Sequence, residues 1–524
     1  MQGMGADLYS FLTRHKLFWL ASGILLLLYW PVLTGVYGFH NDYAMLFDFT
    51  LLSEGKPGWF RFNESNNLFI VGRPVLAFLM NVVAHTVTNA ESFMTWRFIG
   101  FGFMLGFFAV IWQVLVCALG VEQFWAAMAI LFMGLLPGMI LGVIWLTMIP
   151  ADGFNFLLIS AAWVCLEMAC AKAVWFRRDM PAIFWAVGAM LLFLVALYNY
   201  PLTAMGVFFF YFLRVLFARD VIWPEMRRRM VVGVAFWGMG MLIYRLTERY
   251  LVTPAFMKGI HFNDVMSLYD LNIGFDLKPK MLLLGKILTV MVAGPWEFLS
   301  WTTLAWIGPL VVIALALGGL GWQRRAAFDA KMFRMVGERL AWGITFILFM
   351  LCPLLLGKGV SFFNGYRVVA LLGCAFVMIL VAILRLASTE PRYMRWAKGL
   401  GVGMSLSAVL VVSSALGVAL KHNEQQLDFI RAKLAQADLR IKKKFVLIRL
   451  PDDASWVNRT GKGEFLMGMV TGQQLQPLVD EAFTKRKLSP DGVVSFVLES
   501  QYRGRVIPKE DVLIMDPAEL IYWR

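Results

Sequence analysis

Charge is what this chain has least of. Asp, Glu, Lys and Arg together make up 16% of its 524 residues, against about 25% in ordinary soluble domains. That shortage excludes a fully solvated globular surface. Cysteine is also scarce. Cys117, Cys165, Cys170, Cys352 and Cys374 all fall inside apolar runs and lack the paired spacing of a zinc site or a disulfide framework. They read as small buried hydrophobes. Five histidines are present, with no His/Cys cluster of metal-ligating type and no glycine-rich loop to cradle a phosphate. The missing loop argues against a nucleotide sugar as direct substrate. What remains is apolar: 60% of the residues are hydrophobic and 15% aromatic, in runs long enough to span a bilayer.

The formal net charge of +14 does not point to nucleic acid. The basic residues gather between the hydrophobic runs, where an excess of Lys and Arg marks the cytoplasmic side. Arg14, His15 and Lys16 precede the first run, at about 17–37. This predicts a cytoplasmic N-terminus and a transmembrane anchor, since no small-residue cleavage site is present. Residues 38–68 are then outside. Spans are expected next at about 69–88 and 97–118, which returns the chain outside. Lys172, Arg177 and Arg178 belong inside, so Asp152 belongs outside, and parity demands two short kinked spans meeting near Pro137 within 122–150. Later spans are expected at about 153–171, 181–199, 202–218, 230–250, 301–320, 340–357, 366–386 and 399–420. Residues 281–300 are apolar but hold Lys286, Pro295 and Glu297, which suggests an interfacial or re-entrant helix. The total is 13 crossings, with the two termini on opposite faces.

Residues 422–524 change character. Glu424 to Leu439 is helical in pattern, and short β-rich runs follow at 445–448, 493–498 and 512–515. The expected organisation is therefore an all-α polytopic membrane domain, 1–421, followed by a small α/β soluble domain, 422–524, on the outer face.

The longest early polar interruption runs from Gly38 to Pro74 and holds Asp42, Asp48, Glu54 and Glu64 with His40, Lys56, Arg61 and Arg73. Ionisable residues at a membrane boundary are costly to hold and are functional candidates by default. Asp42 is read as the chemical centre of the protein, and most of its neighbours as a solvated loop. Asp152 is a second candidate acid, with a turn and helix start at Asp152-Gly153 as the plain alternative. Arg73 can grip a phosphate with its two-pronged guanidinium or simply snorkel at a span end. Lys278, Lys280, Lys358 and Arg367 stand at outer ends as further candidates or as interface anchors. Trp59, Trp296 and Trp301 fit an aromatic belt better than sugar stacking.

Taken together, these features carry a resemblance. An acid-bearing loop follows the first span, Gly72-Arg73-Pro74 opens the next, and Asp152 follows a pair of short spans. A tyrosine-rich turn, Tyr198-Asn199-Tyr200-Pro201, lies at an outer helix junction, and a soluble domain follows the last span. The chain resembles the GT-C glycosyltransferases, in particular the O-antigen glucosyltransferases of the GtrII type, with a plan similar to lipid A aminoarabinose transferase. The motifs cover mainly 30–80 and 150–201; elsewhere the likeness is one of layout. Where the family commonly places two adjacent acids, this chain has His40-Asn41-Asp42, with one.

The resemblance implies a multi-pass enzyme of the bacterial inner membrane with its site at the periplasmic face. Its donor would be a sugar on a polyprenyl-phosphate carrier, such as undecaprenyl phosphate, and its acceptor an O-antigen, lipid A, another envelope glycan or a protein. One direct displacement would invert the anomeric centre. Asp42 would be the base, Asp152 the second acid, and Arg73 the phosphate ligand. His40, Asn41, Tyr198, Tyr200, Lys278, Lys280, Lys358 and Arg367 would line the substrate site. A divalent cation, Mg or Mn, is compatible with this set but is not required by the sequence. Two rivals compete. A flippase or transporter of lipid-linked sugar wants mid-span charges, which are few here. An oligosaccharide ligase or polymerase wants a large late outer loop, and 358–366 is short.

Overall fold

The computed structural model describes residues 15–35, 73–87, 91–146, 148–171, 182–219, 222–252, 330–356 and 362–436, together with scattered helical positions between 278 and 323 and three short strands. Among these residues the chain is a helical bundle. Seven helices are long and apolar enough to cross a membrane, or eight if one bent pair counts as a span. Large apolar side chains such as Leu27, Ile183, Leu242 and Leu410 stand exposed on their outer surfaces, as expected where the surrounding medium is hydrocarbon.

Prolines punctuate the helices at their first turns, where a missing N–H costs nothing. In chain order the helices are α1 (Lys16–Leu33), α2 (Pro74–Thr86), α3 (Ser92–Trp112), α4 (Gln123–Gly134), α5 (Pro137–Ile144), α6 (Phe154–Ala171) and α7 (Ala182–Asn199). They continue with α8 (Pro201–Ala204), α9 (Val207–Phe217), α10 (Trp223–Thr247), α11 (Ala330–Leu356), α12 (Phe362–Ser388) and α13 (Pro391–Gln436). Wider π-helical turns extend α3 over Gln113–Ala118, precede α6 at Ile149–Gly153 and extend α10 over Glu248–Val252.

Polar contacts fix two ends of the bundle. At one end, Glu167 of α6 pairs with Arg214 of α9 at 2.5 Å and with Arg229 of α10 at 3.6 Å. Nearby α10 meets α11 through Arg227 and Glu338 at 3.1 Å. At the other end sit Asp152 and the α7–α8 junction. We call these the Glu167 end and the Asp152 end.

Tracing the chain between these ends corrects two expectations. Arg97, near the start of α3, donates through Nη1 to the carbonyls of Gly35, just past α1, at 2.9 Å and of Val32, in its last turn, at 3.3 Å. Trp112, at the other end of α3, donates to His15, just before α1, at 3.0 Å. The two helices are therefore antiparallel neighbours, and α3 begins at the end where α1 finishes. Helix α2, between them, cannot cross. Its first residues meet Tyr200 through Arg73, 4.7 Å from the ring centroid, and its last, Thr86, accepts from Trp96 Nε1 at 2.8 Å. Its 13 residues span about 20 Å, short of a hydrocarbon core of about 30 Å. The crossing expected at 69–88 is instead a short helix lying at the Asp152 end.

The second correction lies at 122–150. Helix α4 starts where Glu122 pairs with Lys398 at 2.6 Å, and α5 finishes where Ile144 accepts from Arg97 at 3.4 Å. The two helices make one crossing bent by 65°, not two short ones. Pro137 forces the break, because it lacks the N–H and pushes Leu136 to an extended ψ of 137°. The carbonyl of Gly134 left over at the break accepts from the buried Tyr29 hydroxyl of α1 at 2.7 Å. A side chain at Gly134 would collide with Leu25, so α1 can approach this closely only because 134 is glycine. One crossing fewer before α3 and one fewer after it leave Asp152 at the expected end.

The core is continuous through the bundle. Phe107, Phe156, Phe209 and Phe210 pack where α3, α6 and α9 meet, and α9 stacks Tyr211 on Phe346 of α11. Helix α13 is unbroken for 46 residues; the boundary expected at 421/422 falls inside it. Farther on, β1 (Phe445–Ile448), β2 (Ser495–Leu498) and β3 (Val512–Met515) form a parallel sheet of order β2-β1-β3. Parallel strands need long crossover connections, and the intervening sequence is long enough to supply them.

Candidate functional site

The Asp152 end is built around a turn that proline widens. Pro150 is the second residue of the π-helical turn Ile149–Gly153, and Asp152 within it is only 4% exposed. A turn of this kind leaves carbonyls without helical partners. Asn199, the last residue of α7, supplies the donors. Its Nδ2 reaches the Pro150 carbonyl at 2.7 Å, the Ala151 carbonyl at 3.3 Å and Asn155 Oδ1 at 2.9 Å. Asn155 sits one turn beyond Asp152 and does the same for the break at Pro201. Its Nδ2 donates to the carbonyls of Tyr200 at 2.8 Å and Ala196 at 3.1 Å and to Thr203 Oγ1 at 2.8 Å. Asn155, Asn199 and Thr203 are all fully buried. In such surroundings an unmade hydrogen bond is expensive, so these bonds hold the two turns together. The consequence is that the Asp152 turn and the Tyr198–Pro201 turn form one hydrogen-bonded unit.

Close packing adds to these bonds. A Cβ on Gly100 of α3 would lie 2.9 Å from Ile149 Cγ1 and 3.1 Å from the Val143 carbonyl oxygen. Glycine is what lets α3 press against the Asp152 turn.

Arg73 meets this unit at Tyr200. It is the residue before Pro74 at the start of α2, and its guanidinium lies over the ring of Tyr200, which is 1% exposed. Tyr198 points its hydroxyl to Thr247 Oγ1 of α10 in a hydrogen bond and sets its ring edge-on to Tyr244, with centroids 5.1 Å apart. Glu248 follows one turn after Tyr244. It is 8% exposed and accepts from Arg245 at 2.8 Å. The site thus gathers two carboxylates, Asp152 and Glu248, a guanidinium on an aromatic face, and two further tyrosines. Chemically, such a set can bind an anion at Arg73, accept protons or hydroxyl hydrogen bonds at the acids, and offer the half-buried Tyr198 ring to a flat or ring-shaped group.

Of the residues singled out in the sequence, Asp152, Arg73, Tyr198 and Tyr200 are brought to this one end. His40, Asn41 and Asp42 lie outside the described residues, as do Lys280 and Lys358. The positions flanking the 36–72 segment are described, however, and both are here: Gly35 is bonded by Arg97, and Arg73 covers Tyr200. Lys278 is helical and exposed, and Arg367 falls in the first turns of α12.

Several members of the site went unnoticed in the sequence. Arg97, fully buried, is the clearest. A lone arginine in the apolar run 92–118 was the available signal. Glu248 and Arg245 sit at the very end of a span, where charges look ordinary. Asn155 and Asn199 carry no pattern at all, because their partners are 41 to 49 residues away in sequence. Among the described residues no group of three or more His, Cys, Asp or Glu is placed to hold a metal ion. No protein-family model matches the chain, and no curated protein matches it either.

Proposed function

We propose that this chain is an integral membrane glycosyltransferase of GT-C type, which takes a sugar from a polyprenyl-phosphate carrier and passes it to an envelope acceptor. The observation that carries the reading is the pairing of Arg73 on Tyr200 with the buried Asp152 turn, at one end of an apolar helical bundle. A carrier of this class keeps its chain in the bilayer and its phosphate at the surface. A site for it needs a cation at the membrane boundary and a carboxylate within reach, and this end supplies both.

Orientation follows from charge. His15, Lys16, Arg214, Arg227, Arg228, Arg229 and Lys398 cluster toward the Glu167 end, so by the excess of basic residues that end is cytoplasmic. The Asp152 end is then periplasmic, in a bacterial inner membrane, with two fewer crossings up to Asp152 than the sequence predicts and the same parity there. Asp42 lies in a segment flanked on both sides at that end and serves as the base that deprotonates the acceptor hydroxyl. Attack at the anomeric carbon inverts it, and the carrier phosphate leaves toward Arg73. Asp152, locked by Asn199, orients the acceptor. Residues beyond α13, with their three parallel strands, form a periplasmic α/β domain that docks the acceptor. O-antigen, lipid A, another glycan and a protein are all acceptors of suitable chemistry. A divalent cation could join Asp42 and Asp152, but no step here needs one.

The test is transfer of labelled sugar from synthetic undecaprenyl-phosphate sugars to envelope extracts by the full-length protein in detergent. Labelled product supports the reading. Movement of the carrier across a vesicle membrane without transfer would make the protein a flippase and overturn it.

A further inference from the structure

We infer that Glu248, with the rings of Tyr198 and Tyr244, forms a subsite for the hydroxyl-bearing ring of the carrier-linked sugar. This rests on the glycosyl-carrier reading above and assigns a role to a carboxylate that the mechanism leaves unused. Three observations support it. First, Glu248 is almost fully buried although a single exposed arginine is its partner. Arg245 donates to Oε2 at 2.8 Å, and its own side chain is 62% exposed. Among the described residues, Oε1 receives no donor. An ionised carboxylate has about four acceptor positions, and Oε1, which is not closed off from the surface, keeps its own open to the hydroxyls of a ligand. Second, Glu248 begins the π-helical turn Glu248–Val252, a local widening that helices often carry at functional positions. Third, Tyr244, one turn before Glu248, packs its ring edge-on against Tyr198, two residues before the Tyr200 ring that Arg73 covers.

The chemistry of the ligand follows from this order. Two guanidinium groups, Arg73 and Arg245, disfavour a cationic guest. A carboxylate beside aromatic faces suits a polyhydroxylated ring, whose O–H groups donate to Glu248 Oε1 while its C–H face lies on a tyrosine. In a sugar phosphate the hydroxyls are a few bonds from the phosphate. Arg73 holding the phosphate and Glu248 holding the hydroxyls would divide such a ligand between the two ends of the Tyr200–Tyr198–Tyr244 contact chain.

The experiment compares binding of bare undecaprenyl phosphate and a panel of its hexosyl and pentosyl derivatives to the full-length protein in nanodiscs. Wild type should prefer its best glycosylated carrier over the bare one by about tenfold or more, the increment of a charged hydrogen bond. Glu248→Gln should abolish that preference while leaving affinity for bare carrier unchanged. Arg245→Ala, which keeps the carboxylate, should retain the preference, and both variants should unfold at temperatures near wild type. A preference that survives Glu248→Gln, a preference lost equally in Arg245→Ala, or a wild type that binds bare and glycosylated carriers alike overturns the subsite and leaves the carrier reading standing. Failure of wild type to bind any carrier overturns both.

Discussion

Asparagine at position 42 keeps the shape of aspartate but cannot take a proton. Asp42→Asn should therefore lower transfer by roughly 10²–10⁴, the worth of a positioned general base, with carrier binding intact. Asp48→Asn and Glu54→Gln should cost far less. Turnover and carrier binding measured separately on the three variants decide it; normal turnover in Asp42→Asn places the base elsewhere. Asn199 calls for a different measurement. Asn199→Leu leaves the carbonyls of Pro150 and Ala151 and the Asn155 amide oxygen without their shared donor. The cost should be about 1–3 kcal/mol for each group left unsatisfied, read as a lowered unfolding temperature in detergent. At this scale the sequence shows a residue's chemical type but not its distant partner. Arg73, Asp152 and the tyrosine turn stood out because each is polar where an apolar run stops. Asn199 stood in the same turn, yet what it bonds is set by how α6 and α7 pack, and no spacing along the chain encodes that.

Helix starts were legible as elements, because proline fixes them locally: Pro74, Pro137 and Pro201 each open a helix. Helix direction was not. A run such as 69–88 is apolar whether it crosses a membrane or lies packed at one end of a bundle, since hydropathy records burial and not orientation. The bent crossing of α4 and α5 was likewise visible as a break at Pro137 and misjudged as a reversal. What resolves it is that α4 starts at Lys398 and α5 finishes at Arg97, with the Tyr29 hydroxyl closing the Gly134 carbonyl at the bend. Tyr29→Phe should destabilise the bundle by about 1–3 kcal/mol, as expected when a buried acceptor is stripped of its partner. Gly100→Ala tests the neighbouring contact. Its new methyl group has to displace Ile149 or the Val143 backbone, so it should reduce transfer by disturbing the Asp152 turn more than it reduces expression. Full activity in Gly100→Ala means the turn tolerates movement and is not held as described.

For the whole molecule, direction becomes sidedness. A reporter fused after Arg524 should be active on the face opposite to one placed near Arg228. That outcome is common to the predicted and observed paths, because the two topological differences cancel. Asn89 separates them. If α2 crossed, Asn89 would face the same side as Arg228; with α2 lying at the Asp152 end, a cysteine at 89 should react with an impermeant label from the periplasmic side. Labelling from the cytoplasmic side instead would restore the lost crossing and remove Arg73 from the site. The overall class of the molecule, a helical membrane protein, was legible from composition alone, whereas the count of crossings depended on contacts between helices.

Helix α13 adds a mechanical consequence. An unbroken helix of 46 residues is about 69 Å long and turns by about 100° per residue. It therefore transmits azimuth as well as height to whatever follows it. Two residues inserted after Gly417 should swing the distal segment by about 200°, away from its working bearing, with almost no change in elevation. Seven inserted residues should bring the bearing back to within about 20° while raising it by about 10 Å.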